Sequence, residues 1–352
     1  MEPPGNRHFW FKRHLHWALA LALIPLVISF LTDEPEKPIR TRLIETLKDA
    51  TPEERQAILQ RLDLTKSLDE ALSLLPEDRL TGAYLARSSN DHWKMAGAAV
   101  VVYLVFLMVL AAGGVARLWE VLGISILSAT LGGSFLLLVQ WLGSWTQDVY
   151  RSAGGIAILD DILSLIHFSY SGAFAPESSF FLSFLGFTLG VGICQEIVKA
   201  LPVFWYSSTT RDSNWREPFL WGLASGTGFG IAESLVYSRE FYNGVAAPHI
   251  YLILFVSCVA LQAIWTGSVA ILVYRHRDSL QFDMFHASSM FEWIVPVLYA
   301  VVVPVLLHGL YDTCLKKELY GFAALIAVAS FGYLGFLLRA PERRPGTRPA
   351  TS

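Results

Sequence analysis

The fold of this 352-residue chain is decided by the stretch FFLSFLGFTLGVGICQEIVKALPVFWY, which runs from Phe180 to Tyr206. It is long and apolar enough to cross a bilayer as a helix, yet Gln195, Glu196 and Lys199 stand near its centre. A charged group near the bilayer midplane costs at least about 2.5 to 3.5 kcal/mol on insertion scales, so such residues usually face a bundle interior. The stretch therefore predicts a membrane helix that carries part of a site.

Three further apolar stretches carry polar residues in the same way. Glu233 lies in the first, Gln262 in the second, and His308 with Asp312 in the third. His308 and Asp312 are four residues apart, and Gln195, Glu196 and Lys199 lie within about a 100° arc, so each set shares one helix face. Four helices are thus predicted to bring carboxylates, amides, an imidazole and an ammonium together.

Small residues precede these polar positions at helical spacing. Gly222, Gly226 and Gly230 come just before Glu233, and a second glycine pair, Gly186 and Gly190, comes before Gln195. Glycines four residues apart allow a second helix to approach closely in a membrane. We expect the polar side chains to meet at such contacts.

The composition indicates an integral, multi-pass membrane protein with an all-α transmembrane bundle. Hydrophobic residues make up 53% of the chain and charged residues 16%, against about 25% in ordinary soluble domains. The mean hydropathy is +0.44. The expected surroundings are a lipid bilayer, and no feature indicates a nucleic-acid partner.

Eight spans are predicted from apolar length. They are Trp17–Leu31, Met95–Ala116, Val121–Leu142, Phe180–Tyr206, Phe219–Tyr237, Ile250–Tyr274, Ile294–Leu315 and Tyr320–Leu338. Lys12 and Arg13 precede the first span, which predicts a cytoplasmic N-terminus. The stretch Ile156–Phe174 carries Asp160, Asp161 and His167, so a surface-lying or re-entrant helix is expected there.

The chain divides into four parts: residues 1–32 form a cytoplasmic start and signal anchor, 33–93 a polar helical extracytoplasmic insert, 94–339 the transmembrane core, and 340–352 a disordered tail. The insert contains Thr51-Pro52-Glu53-Glu54, a capping box with proline at the first helical position. A helix is therefore predicted to begin at Pro52.

Four motifs in order resemble the PrsW-type intramembrane proteases, which are related to CAAX-processing and bacteriocin-processing proteases. Gln195-Glu196-Ile197-Val198-Lys199 resembles the EExxK motif of that family, and Gly228 to Glu233 resembles the second motif. Gln262 opens the third and His308-Gly309-Leu310-Tyr311-Asp312 resembles the fourth, all within residues 180–315. The resemblance implies a protease of a membrane or membrane-adjacent protein, located in the bacterial plasma membrane.

The resemblance also implies roles for the site residues. Glu196 would activate the water, and His308 would polarise it or stabilise the oxyanion. Glu233 and Asp312 would orient or ligate, while Lys199 would balance charge. Alternatively, Glu196, Glu233 and His308 would hold Zn²⁺, for which three protein ligands suffice.

Two departures from the family pattern leave other functions open. Gln195 replaces the leading glutamate of the first motif, and Gln262 replaces the histidine of the third. Glutamine can neither take a proton nor carry negative charge. The alternatives are a catalytically degenerate pseudoprotease that binds transmembrane helices, and an ion-coupled transporter, which also uses buried Glu, Lys and His.

Overall fold

The computed structural model describes residues 51–62, 89–111, 116–143, 157–175, 178–209, 214–240, 253–280, 290–317 and 319–339, with isolated residues between Leu15 and Ile24. These ranges are helical and contain no strand. The predicted all-α class is confirmed for the part of the chain described.

The helices follow one another with short interruptions. They are α1 (Pro52–Leu62), α2 (Ser89–Ala111), α3 (Leu118–Gly143), α4 (Ala157–Phe174), α5 (Phe180–Gly186), α6 (Ile193–Thr209), α7 (Arg216–Glu240), α8 (Val259–Leu280), α9 (Met290–Lys316) and α10 (Tyr320–Arg339). Two π-helical segments, Phe187–Gly192 and Ile253–Cys258, lead directly into α6 and α8.

Seven of the eight predicted spans fall on these helices. Six segments are long and apolar enough to cross a membrane, namely α2, α3, α5 with α6, α8, α9 and α10. Helix α7 is not among them, because its glycine, serine and charged residues lower its hydropathy. The first predicted span, Trp17–Leu31, lies almost entirely outside the described residues. A polytopic helical bundle is confirmed, and the number of spans stays a prediction.

Helix α1 begins where the capping box predicts. The amide N–H of Arg55 donates to the carbonyl of Thr51 at 2.9 Å, and Pro52 is the first helical residue. The remainder of the predicted insert before Ser89, and the tail after Arg339, lie outside the described residues.

The α7–α8 contact holds the centre of the bundle together. A Cβ placed at Gly226 would collide with the carbonyl oxygen of Gln262 and lie 2.7 Å from the Cα of Ala263. One at Gly230 would lie 3.0 Å from the Cα of Val259. The two backbones therefore touch along the glycine ladder, as predicted. This contact brings the polar residue of α8 against that of α7.

Helix α4 supplies the partner for the other glycine pair. A Cβ at Gly186 would collide with the backbone at Ser169 and Ala173, and one at Gly190 would collide with the Ser169 side chain. The predicted close approach ahead of Gln195 is confirmed. Helix α4 is not among the segments apolar enough to span, and its relation to the membrane stays a prediction.

The π-helical segments are absent from the sequence prediction, which treated Phe180–Tyr206 as one regular helix. A π turn inserts an extra residue and so rotates everything after it by about 100° relative to a continuous α-helix. The first segment ends three residues before Gln195, and the second ends four before Gln262. The direction in which Gln195 and Gln262 face is thus set by the π segment that precedes each of them.

We predict that Gly226→Ala lowers the free energy of unfolding by about 1–3 kcal/mol, because the methyl group meets main chain that cannot move aside. The matched control is Gly332→Ala in α10, where an added Cβ has no atom within 4 Å. It is expected to be neutral or to stabilise by up to about 1 kcal/mol, since alanine is the better helix former. Thermal unfolding in detergent measures both, and equal effects would contradict the packing.

Candidate functional site

Four helices bring the predicted polar residues into one buried cluster, called here the polar network. Its members are Glu196 and Lys199 of α6, Glu233 of α7, Gln262 of α8, and His308 and Asp312 of α9. The side chains of Glu196 and Lys199 are 0% exposed, whereas that of Asp312 is 21% exposed. Asp312 is therefore the most exposed member of the polar network.

Glu196 stands at the branch point of the polar network. Its Oε1 accepts a hydrogen bond from Nζ of Lys199 at 2.6 Å and lies 2.8 Å from Nδ1 of His308. Its Oε2 is buried and has no hydrogen-bond partner among the described residues. One carboxylate oxygen is thus fixed on two sides while the other is free to interact with a further group.

His308 is held on both edges and on one face. Its Nδ1 faces Glu196, and its Nε2 lies 3.3 Å from Oδ2 of Asp312 one turn away. The indole of Trp265 stacks on the imidazole with ring centroids 4.5 Å apart and an angle of 23° between the planes. An imidazole can donate to two carboxylates only when both nitrogens carry protons.

Lys199 connects α6 to α8. Its ammonium donates to Oε1 of Gln262 as well as to Glu196. It also lies 5.2 Å from the ring centroid of Phe229 and 5.6 Å from that of Trp265, within the range of cation–π attraction. The cation is surrounded by groups that attract positive charge.

Gln262 completes the connection. Its Nε2 donates to Oε2 of Glu233 at 2.5 Å, while its Oε1 accepts from Lys199. Asp312, His308, Glu196, Lys199, Gln262 and Glu233 therefore form one continuous series of contacts across four helices.

Gln195 is the predicted site residue that stands outside this series. It lies beside Glu233 and is 2% exposed, but neither its amide nitrogen nor its amide oxygen has a hydrogen-bond partner among the described residues. The structure brings it against Glu233 without a hydrogen bond of normal length and angle.

Backbone contacts set the positions of α6 and α9. A Cβ at Gly309 would lie 3.1 Å from the Cα of Thr188 in the first π segment, so α9 approaches that segment closely beside His308. On the other side, the hydroxyl of Ser225 in α7 donates to the carbonyl of Lys199 at 2.6 Å. These contacts fix the two helices whose side chains meet at Glu196.

Sequence reasoning did not single out Phe229, Trp265 or Ser225. Phe229 and Trp265 lie inside the second and third motifs, each within four residues of a polar network member, and that spacing is the signal available in the sequence. A serine among many apolar and small residues gives no comparable signal.

A comparison with protein-family models identifies the family to which this chain belongs. Residues 152–338, just over half of the 352-residue chain, match the model of the PrsW family of intramembrane metalloproteases. The chain belongs to the PrsW family. No curated protein and no solved structure matches it. All the polar network residues of this PrsW-family chain lie within the matched range.

The family description implies a metal ion, and the donor set can be tested against one. Within the described ranges, no three His, Cys, Asp or Glu side chains are arranged to hold a metal. The predicted ligands are Glu196, Glu233 and His308. Two of them, Glu196 and His308, contact each other through Oε1 of Glu196, and the ammonium of Lys199 lies 2.6 Å from the same oxygen. A zinc site requires three donors converging on the cation. In this arrangement the residues do not fit a metal, since a protein cation stands beside Glu196.

We predict that Lys199→Met lowers the free energy of unfolding by about 3–5 kcal/mol, because it leaves the carboxylate of Glu196 buried without its cationic partner. Adding Glu196→Gln should recover most of that loss, since the uncompensated charge is then removed. Unfolding of the purified variants in mixed detergent measures both changes.

The control for this cycle is Arg117→Met. Arg117 pairs with Glu120 at 4.0 Å with its own side chain 75% exposed. Exposed pairs contribute little, so the change should alter stability by no more than about 0.5 kcal/mol. A Lys199→Met effect as small as this would show that the buried pair does not hold the helices.

Proposed function

We propose that this chain is an intramembrane endopeptidase that hydrolyses a peptide bond of a membrane-embedded or membrane-adjacent protein, with Glu196 as the base. The observation that carries the proposal is that the two carboxylate oxygens of Glu196 differ in their hydrogen bonding. One is bound by Lys199 and His308, and the other is buried and unbonded among the described residues. That arrangement suits a group that accepts a proton from water at a fixed position.

The reaction balances with the side chains present. A water molecule gives one proton to Oε2 of Glu196, and its oxygen attacks the carbonyl carbon of the scissile bond. The carbon–nitrogen bond then breaks as the leaving nitrogen takes the proton back from Glu196. The products are a new carboxyl end and a new amino end.

Lys199 and His308 stabilise the charge that moves during this reaction. Both lie within 2.8 Å of Oε1 of Glu196, in a buried site where electrostatic interactions are stronger than in water. Because both nitrogens of His308 already face carboxylates, its role is to position Glu196 and to couple it to Asp312. The direct contact of His308 with water that the sequence suggested would require one of these bonds to open.

Gln262 and Glu233 act on Lys199 from the far side. Gln262 accepts from the ammonium and donates to Glu233, so the cation is held at its place beside Glu196. Zn²⁺ has no step in this mechanism, and rates measured with and without 1,10-phenanthroline are expected to agree.

We predict that Glu196→Gln lowers kcat by at least about 10²- to 10⁴-fold, the usual contribution of a general base, while the protein stays folded. His308→Ala should also abolish cleavage, because the branch-point carboxylate loses its second anchor. The assay measures cleavage of a single-span reporter protein in liposomes, alongside thermal unfolding.

Ser268→Ala is the matched control. The Ser268 hydroxyl is buried in α8 and donates to the carbonyl of Ile264 in its own helix, so its removal should leave cleavage unchanged. Loss of folding in both Glu196→Gln and His308→Ala would assign the residues to stability. Full activity in either one would refute its catalytic assignment.

The second candidate is a pseudoprotease that binds transmembrane helices without cutting, and the glutamines at positions 195 and 262 favour it. In that case the wild type does not hydrolyse, and Gln195→Glu combined with Gln262→His gains activity beyond either single change, because such groups act as a unit. Measurable hydrolysis by the wild type that Glu196→Gln removes would reject the pseudoprotease.

A further inference from the structure

Gln195 has hydrogen-bonding capacity that the described residues leave largely unused. It is 2% exposed, and within the described ranges both its donor and its acceptor lack a partner. Burying an amide without hydrogen bonds destabilises a protein, so native structures usually satisfy such groups. A group left in this state at a site is available to an incoming ligand.

Gln262 is a second glutamine at the same site, and it differs from Gln195 in its hydrogen bonds. Both residues are buried glutamines facing the same site, but the amide of Gln262 is bonded on both sides, to Lys199 and to Glu233. Gln195 faces Glu233 and interacts with its carboxylate, but within the described ranges neither of its amide atoms makes a hydrogen bond of normal length and angle. Gln262 therefore holds the helices together, whereas Gln195 is held weakly enough to bind a ligand.

We propose that the carboxamide of Gln195 binds a main-chain peptide group of the substrate. Its Nε2–H donates to a substrate carbonyl oxygen, and its Oε1 accepts from a substrate N–H. The inference rests on the proposed function in one respect, namely that the ligand is a transmembrane segment. It does not require that the segment be cut.

The chemistry of the site favours a peptide group over other ligands. A carboxamide offers one acceptor and a neutral donor, which is the complement of a peptide unit and a poor match for an ion. Glu196, the next residue along α6, adds the acceptor Oε2, which has no partner in the described part of the chain. An amide that fixes the substrate backbone beside a free carboxylate oxygen would present a peptide bond to the base.

This recognition selects substrates by backbone conformation. In a continuous membrane helix every main-chain N–H and C=O away from the ends is bonded within the segment. A segment must therefore be unwound locally before its peptide groups can reach Gln195. Transmembrane segments interrupted by glycine are the class of ligand expected.

The test uses binding, so that it stands apart from hydrolysis. Two fluorescent peptides of about 25 residues, lysine-flanked and built of leucine and alanine, differ only at the centre, where one carries Gly-Gly. Affinities in nanodiscs are measured for the wild type, Gln195→Met and the control Ser268→Ala. The wild type and Ser268→Ala should bind the Gly-Gly peptide more tightly than the continuous helix.

Gln195→Met should lose at least about tenfold in affinity for the Gly-Gly peptide, the equivalent of one to two hydrogen bonds, and lose the preference with it. Its melting temperature should equal or exceed that of the wild type, because an unsatisfied amide is removed. If Gln195 has only a structural role, Gln195→Met should bind the Gly-Gly peptide with unchanged affinity or should melt at a lower temperature than the wild type. Either result would contradict the proposal.

A change on the ligand side keeps the test decisive should Gln195→Met fold poorly. Replacing each central glycine in turn with sarcosine removes one N–H from an already interrupted peptide. One of these peptides should bind the wild type more weakly, with no further loss in Gln195→Met. Equal affinity of the wild type for all interrupted peptides would overturn the proposal and leave a water molecule as the partner of Gln195. Binding of these peptides without cleavage would instead contradict only the proposed protease activity, and not the binding role of Gln195.

Discussion

The contact between the ammonium of Lys199 and the carboxylate of Glu196, 2.6 Å apart on one face of α6, is the interaction on which the rest of the site depends. Each ion loses several kcal/mol of hydration on burial, and one partner alone does not restore it. Glu196 gains His308 from α9, and Lys199 gains Gln262 from α8. Lipid gives helices little hydrophobic reason to associate, so these polar contacts select which helices surround α6.

Side chains of this length meet only where the backbones are close, and the small residues provide that closeness. Gly226 brings α7 against the backbone of α8 at Gln262, and Gly309 brings α9 against the π segment before α6. Without these contacts Glu196 would lose His308 and Lys199 would lose Gln262, and the contacts would be weakly specified without the charges. The two features therefore depend on each other.

Helical spacing and motif order predicted the bundle, the glycine ladder and the residues that meet, because these follow from periodicities of the α-helix. The π segments could not be predicted in this way. In a continuous apolar stretch there is no alternation of polar and apolar residues whose spacing would reveal one extra residue in a turn. The pairing of each polar side chain also escaped prediction, because it depends on which helix lies opposite. Gln195 and Gln262 look equivalent in the sequence, and only tertiary contacts distinguish them.

The two glutamines have separate physical consequences for the charge of the site. A neutral imidazole has one donor and one acceptor, and the amide of Gln262 reproduces that pair toward Glu233 and Lys199 without a group that titrates. The amide of Gln262 itself therefore does not change its charge with pH. A glutamate at position 195 would instead add a negative charge beside Glu196 and Glu233, where Lys199 and His308 already face three carboxylates. The neutral amide at position 195 limits that repulsion, and it leaves at the site a donor that a carboxylate would not have.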